Sequence, residues 1–457
     1  MAQKYLFRKR SSSNPYTILA LTVVLLALVA VLRGLQTQQI EPLFLPTPTP
    51  TRTSNSYALE GQTHFQAGNL KGAIEAYQQA LQTEPNNARI WMELAQIQTY
   101  SYKSLTTREA QRQRLAEALE SANRAVELAP EDSSAYAIRA FVRDWNAGLL
   151  ESGEERSRLL VEAEQDAQKA LLLDKNNVLA LAYSAEILND QQKWDQARQY
   201  IQLAVERNPN LMDVWRVQAA ILETLGDYQG AIQAYDRAIE LAPNLTFLYV
   251  QAGVIYRHLG MTQTQKNVAM QYYTTALDYF AKAVNKNKQL GIEDPVPYIA
   301  IGKVYTQMGE FFVAALNAKK ALQIDPYSPD LYGQLGMVYF KARNYETAIP
   351  ALQCAVEGCP PQVSCEVRDC DPATDPPIEI QGIPLEPNDP ATVVYYYTYG
   401  SVLAGMYRPV GETRDYCDRA LKVFDRVRAL YASDSTVMGI VQASESICAS
   451  FGITRNP

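Results

Sequence analysis

The pattern Ala-x3-Tyr-x2-Ala-x4-Pro occurs at Ala73, Tyr77, Ala80 and Pro85, and again at Ala231, Tyr235, Ala238 and Pro243. Trp215, Ala219, Leu222 and Gly226 precede the second copy. The frame recurs at Ala197, Ala204 and Pro209, and at Tyr298, Gly302, Tyr305, Gly309, Ala321 and Pro326. It returns at Tyr332, Leu335, Gly336, Tyr339, Ala348, Ala355 and Pro360. Each copy holds two amphipathic stretches of about a dozen residues with helical spacing, joined by a Gly or polar turn and closed by Asp, Asn or Pro. Small residues at Ala73, Ala80, Ala197, Ala204, Ala231 and Ala238 let helices approach closely. Trp91, Trp215, Tyr249, Tyr298 and Tyr332 fill the space between neighbouring pairs. One pair cannot bury its apolar face alone, so such units stack into a solenoid with a continuous core. Length alone, at ~150 residues per domain, suggests about three domains; the period overrides that expectation.

The pattern resembles the tetratricopeptide repeat, W-x2-L-G-x2-Y…A-x3-F…A…P over about 34 residues. Nine frames begin near Ser54, Ala88, Ser133, Val178, Met212, Thr246, Pro295, Pro329 and Val393. The resemblance implies an all-α, right-handed α-solenoid with repeats one to eight over 57–358 and the ninth within 393–453, where Ser435–Phe451 forms a capping helix. In the frames at Ala88, Ser133 and Thr246 the second-helix alanine (Ala118, Ala163, Ala276) arrives eleven residues late. Eleven residues are close to three helical turns, so the helices can lengthen with their faces preserved. These insertions read either as tolerated turn length or as a raised docking rim along one edge. The Ser133 frame also closes on Lys175 in place of proline.

Tyr16–Leu32 carries no charge, while Lys4, Arg8, Lys9 and Arg10 precede it. With Gly34 and Leu35 it is long enough for a transmembrane helix over 16–35, and the positive-inside bias keeps a basic tail, 1–15, in the cytoplasm. A cleaved signal peptide would want a shorter apolar run and small residues at the cut; Val31-Leu32-Arg33 is a poor cleavage site. Pro46, Pro48 and Pro50 alternate with threonine in a linker over 36–56 that favours extended backbone. The repeats are therefore expected on the extracytoplasmic side.

All six cysteines follow residue 353. Cys354, Cys359, Cys365 and Cys370 fit the C-x2-4-C pairs of a zinc site poorly, and two disulfides in an oxidising compartment suit them better. Four cysteines allow three connectivities, and the spacing does not choose. The Pro- and Asp-rich insertion 359–392 reads as non-helical. Adjacent antiparallel helices in a tetratricopeptide stack imply a Cys417–Cys448 bridge, with Cα atoms within ~7 Å.

The 457 residues carry 42 Lys+Arg against 49 Asp+Glu, a formal charge of −7, and four of the cations lie in the first ten residues. Such acidity argues against nucleic-acid binding. Only two histidines, His64 and His258, are present, neither with a metal-spaced partner. No G-x-x-x-x-G-K-[ST] or G-x-S-x-G run occurs, so no enzyme, metal or cofactor is expected. Asn244-Leu245-Thr246 matches a glycosylation sequon.

In tetratricopeptide proteins one face of the first helix of each pair lines a concave groove. Carried onto this chain, that face holds Phe65, Tyr100, Phe141, Trp145, Glu186, Arg216, Phe247, Arg257, His258, Lys303, Met337, Phe340 and Tyr397. Aromatic and Arg anchors of this kind supply most of the energy at protein interfaces, although about half of these rings are expected to pack against neighbouring repeats. Gln62, Gln96 and Leu59 stand where chaperone-tail binders need Asn, Lys or Arg, so that ligand class is not supported. The expected function is a membrane-tethered scaffold for protein partners in an envelope assembly. The alternative, a receptor for a small ligand or glycan, requires a closed pocket among Trp145, Phe247 and Arg257.

Overall fold

The computed structural model describes residues 14–36, 52–150, 153–371 and 373–454. The chain divides into two compact units, Met1–Arg52 and Thr53–Pro457. The described part of the first is one helix, α1 (Pro15–Gln36), with its side chains exposed from Pro15 to Arg33. At 1.5 Å per residue it is long enough to cross a hydrocarbon core of ~30 Å. The basic tail before residue 14 and the Pro/Thr-rich segment 37–51 lie outside the described residues.

The second unit is an all-α solenoid of nine helix pairs. Repeats one to three pair α2 (Ser54–Gln66) with α3 (Leu70–Thr83), α4 (Ala88–Ser101) with α5 (Arg108–Leu128), and α6 (Ser133–Gly148) with α7 (Glu154–Leu173). Repeats four to six pair α8 (Val178–Asp190) with α9 (Trp194–Arg207), α10 (Met212–Thr224) with α11 (Tyr228–Leu241), and α12 (Thr246–Thr262) with α13 (Lys266–Leu290). The seventh and eighth pair α14 (Val296–Met308) with α15 (Phe311–Ile324) and α16 (Pro329–Lys341) with α17 (Tyr345–Val356). A short α18 (Pro361–Arg368) precedes the ninth pair, α19 (Pro390–Met406) and α20 (Tyr416–Tyr431), and α21 (Ser435–Ser450) ends the stack.

Helix starts are set by side-chain caps that satisfy otherwise orphaned N–H groups. Asn69 accepts from the Gly72 N–H at 2.9 Å, Asn177 from Ala180 at 3.1 Å and Asp227 from Gly230 at 2.9 Å. Ala73, Ala80, Ala197, Ala204, Ala231 and Ala238 are completely buried, as close helix packing demands. The recurrent spacing of proline and aromatic has a direct cause. Trp91 donates to the Pro85 carbonyl at 2.8 Å, Trp215 to Pro209 at 2.7 Å, Tyr249 to Pro243 at 3.0 Å and Tyr332 to Pro326 at 3.1 Å. One side chain thus fills an inter-repeat gap and satisfies the turn before its own helix. Where Lys175 replaces the proline and Leu181 the aromatic, the Arg207 guanidinium donates to the Lys175 carbonyl instead.

The three insertions are absorbed chiefly by the second helices. α5, α7 and α13 have 21, 20 and 25 residues, against 14 in α3, α9, α11 and α15. Ala118, Ala163 and Ala276 remain fully buried, so the core faces are preserved.

Two expectations need correction in the C-terminal part. The insertion 359–392 is not wholly non-helical, because α18 forms within it. Pro360 and Pro361 occupy the cap and first helical positions, where no intrahelical N–H is required. The ninth repeat begins at Pro390, three residues before Val393, again with proline in the first turn and Asp389 capping Ala391 and Thr392. The cysteines pair as Cys354–Cys359, Cys365–Cys370 and Cys417–Cys448, with Cα separations of 4.6, 4.9 and 5.6 Å.

Residues far apart in sequence also meet within this unit. Asn244 Nδ2 donates to the Gln66 carbonyl at 2.8 Å, and Thr106 Oγ1 to Asp325 at 2.6 Å. Arg112 makes a two-pronged ion pair with Glu386, and Arg108 lies 3.5 Å from Asp389. The insertion of the second repeat therefore meets the segment leading into the ninth. At this insertion the expected docking rim is occupied by the chain itself.

Candidate functional site

The first helices of repeats one to six bring Phe65, Tyr100, Phe141, Trp145, Glu186, Arg216 and Phe247 into one cluster. Tyr100 stands at its centre, with ring centroids 6.2 Å from Phe65, 5.5 Å from Phe141, 5.9 Å from Trp145 and 5.5 Å from Phe247. The Arg216 guanidinium lies 5.4 Å above Phe141 and 5.3 Å above Trp145 while forming a bidentate pair with Glu186 at 2.6 and 2.8 Å. Tyr100 donates to Asp213, which also accepts from Arg216 at 3.2 Å. Trp145 Nε1 donates to Glu186 at 3.2 Å, and Lys103 sits 5.2 Å from the Trp145 ring.

Within this cluster the expectation is corrected for Tyr100, Phe141 and Arg216: they are buried between repeats and do not offer themselves to a partner. Tyr100 and Phe141 have no exposure and Arg216 only 5%; Phe65, Trp145 and Phe247 are half-buried. Tyr100, Phe141 and Arg216 find stacking and ion-pair partners inside the chain and fill the space between helices. Burial disfavours the Arg216 charge, but Glu186 and Asp213 outweigh it and its pKa rises. Burial, helped by Asp213, raises the Tyr100 phenol well above its ordinary value, so it stays a donor.

Beside this cluster Asp144 is buried with its Oδ1 unpaired among the described residues. Burial, then Asp190 and Glu186, push its pKa well up; burial and Glu186 push Asp190 up to about 6. The sequon residue Asn244 spends its amide on Gln66. His258 is exposed and lies 3.1 Å from the Tyr228 hydroxyl.

The second half of the predicted face differs. Arg257 from α12, Lys303 from α14, and Met337 and Lys341 from α16 line one cavity of about 290 Å³. Ile299, Leu331, Val338 and Val394 give it apolar walls. Burial within these walls lowers the pKa of both Arg257 and Lys303. Lys303 keeps solvent access but is flanked closely enough for desolvation to act. Asp330 beside it is half-buried, accepting from Tyr395 at 2.9 Å and from Gln334 at 2.5 Å. Phe340 is half-buried, 6.0 Å from Tyr345, and Tyr397 is half-buried on α19. The cavity does not include Trp145 or Phe247, which belong to the cluster around Tyr100.

Sequence reasoning missed Lys341, Gln334, Ile299 and Thr306. Helical spacing carried the signal: Ile299, Lys303 and Thr306 share one face, as do Gln334, Met337 and Lys341.

Residues 61–99 match the family described as TPR repeat, and residues 184–246 and 317–349 match families described as tetratricopeptide repeat. The chain is similar to the BBSome complex member BBS4 of Bos taurus, 30% identical over 131 residues, 28% of this chain and 22% of that protein. It is similar to anaphase-promoting complex subunit 3 of Schizosaccharomyces pombe, 23% identical over 145 residues, 32% of this chain and 20% of that protein. The chain thus spans about a fifth of the length of each of these relatives. Its fold resembles that of the human IFIT1 dimer with PPP-AAAA at a TM-score of 0.50 and 14% identity, covering 88% of this chain and 92% of that one.

Proposed function

A chain built of tetratricopeptide repeats is the premise from which we propose a scaffold that binds protein partners, tethered to a membrane through residues 16–35. In this reading the solenoid stands on the extracytoplasmic side and serves an envelope assembly. The observation that carries the binding role is the accessible face left by α12, α14, α16 and α19, with Arg257, Lys303, Met337, Phe340 and Tyr397 on it. Mixed cationic, thioether and aromatic groups of this kind suit a protein interface. The tether is supported by the uncharged run Tyr16–Leu32 behind Lys4, Arg8, Lys9 and Arg10. Three disulfides, which persist in oxidising compartments, support the side of the membrane.

Photo-crosslinking amino acids at Phe340 and Tyr397 in intact cells test the binding role. One or two envelope proteins should be captured, and Arg257→Glu should abolish capture. Capture that ignores this charge reversal would place the partner elsewhere and reject the groove. Protease added outside cells stripped of any outer barrier should digest the repeats; full protection would reverse the topology.

The cavity itself favours a second reading, a receptor for a small ligand in the groove. Its volume of about 290 Å³ is close to the lower end of small-molecule sites, ~300 Å³.

A further inference from the structure

We infer that the cavity between α12, α14, α16 and α19 binds a small amphiphilic monoanion, its carboxylate against Arg257 and Lys303 and its tail on Ile299, Met337 and Val338. This names the ligand class for the small-ligand reading and rests on it.

Three observations lead there. Arg257, Lys303 and Lys341 line the cavity together, and among the described residues none of them forms an ion pair. Such a concentration is unexpected in a chain of net charge −7. Elsewhere several inward-facing arginines are paired, as Arg139 is with Asp166 and Arg216 with Glu186. Cations flanked by apolar walls and left without an ion-paired carboxylate are stabilised by an anion that brings its own apolar part. Asp330 offsets part of the Lys303 charge, but it makes no ion pair with Lys303, and its two oxygens accept from Tyr395 and Gln334.

Size then selects among anions. At ~30 Å³ for each water-sized group, 290 Å³ holds roughly ten non-hydrogen atoms, the content of octanoate. Inorganic phosphate would leave the apolar walls uncovered. A long peptide running along the repeats meets the filled interior around Tyr100, Phe141 and Arg216. A compact amphiphile needs no continuation in that direction.

The test uses the full chain in lipid nanodiscs, with empty nanodiscs subtracted for partitioning. Calorimetry with octanoate should show one site per chain, with octanol at least tenfold weaker and octylamine not competing. Arg257→Gln and Lys303→Gln should each weaken octanoate roughly tenfold or more, while the unfolding temperature stays level or rises as an unpaired charge is removed. Equal affinity for octanol and octanoate would overturn the anion class and leave the small-ligand reading standing. Failure of both probes, with Arg257-dependent binding of an acidic peptide, would overturn the ligand class and that reading together in favour of a protein partner. Failure of all three probes would overturn the site.

Discussion

The side-chain amide of Asn244, just before the sixth repeat, donates to the main-chain carbonyl of Gln66 at the end of the first helix of the first repeat, across 2.8 Å. Gly68 makes this approach possible. Its φ is +76°, and a Cβ there would lie 2.9 Å from the Asn244 carbonyl carbon and closer still to its oxygen. Both the left-handed backbone and the main-chain collision oppose any side chain. Gly68→Ala should therefore cost about 2 kcal/mol or more in chemical denaturation, and hydrogen exchange should speed up around residues 64–70 and 242–246 together. Gly226→Ala, with φ +79° and no neighbour within 4 Å of its Cβ, separates the two effects and should cost only about 1 kcal/mol. Equal losses for the two variants would show that the closure is not held at Gly68.

Arg216 is the cation on which the interior of the first six repeats depends. Arg216→Ala leaves Glu186 and Asp213 buried without their counter-ion, and removing one partner of a buried pair typically costs ~3–5 kcal/mol. Glu186→Gln in the same chain should recover part of that loss, because one stranded charge is removed. Urea unfolding of the single and double variants measures both values. A double variant no more stable than Arg216→Ala would mean that Glu186 is solvated after the first substitution.

The helix pairs were readable because the Ala and Pro positions express local physics. The buried alanines set helix approach, and the prolines accept from an aromatic six residues later, so both leave a periodic trace. Groove residues were only half readable. Periodicity puts Phe141 and Met337 on equivalent faces, yet how far the solenoid closes decides that Phe141 is buried and Met337 lines a cavity. That closure is made by Asn244–Gln66, Thr106–Asp325 and Arg112–Glu386, contacts between residues at least 178 positions apart. No repeat-level pattern encodes such pairs. The helix at Pro361–Arg368 is hidden for a different reason: its proline content disfavours helix, whereas the proline position, at the first turn, permits it.

Asp294 offers a pH-dependent test of the fold. It is nearly fully buried ahead of α14, and burial pushes its pKa up to about 6, against about 4 in an unfolded chain. A carboxyl whose folded pKa is raised binds its proton more tightly when folded. Its contribution to stability is therefore complete below about pH 4 and is lost as pH rises through 6, a swing of roughly 3 kcal/mol at most. Asp294→Asn retains an acceptor for the Val296 N–H, now received at 3.0 Å. Asn287 now donates its Nδ2 to Asp294 Oδ2 at 3.4 Å; once its amide flips, the new amide can donate to Asn287 Oδ1, which has no partner among the described residues. The variant should be more stable than the parent at pH 7.5 and show no gain at pH 4. A gain that is the same at both pH values would exclude ionisation of Asp294 as its source.

The three disulfides should differ in what their removal costs. Cys417–Cys448 closes 31 residues and joins α20 to α21, whereas Cys354–Cys359 and Cys365–Cys370 each close five. Loop entropy in the unfolded chain grows with the logarithm of the closed length, which gives about 4 kcal/mol for the long loop and about 2 kcal/mol for a short one. Cys417 and Cys448 are also completely buried in the core cluster that holds Phe424 and Val441, so their replacement by serine adds a desolvation cost. Replacing both by alanine isolates the covalent effect more cleanly. In that variant α21 should exchange its amides before the rest of the solenoid, because a terminal helix has a neighbour on one side only. Mass spectrometry of peptides from 435–450 reads this directly. Uniform acceleration along the whole chain would mean that the bridge stabilises the stack as one unit and not its end.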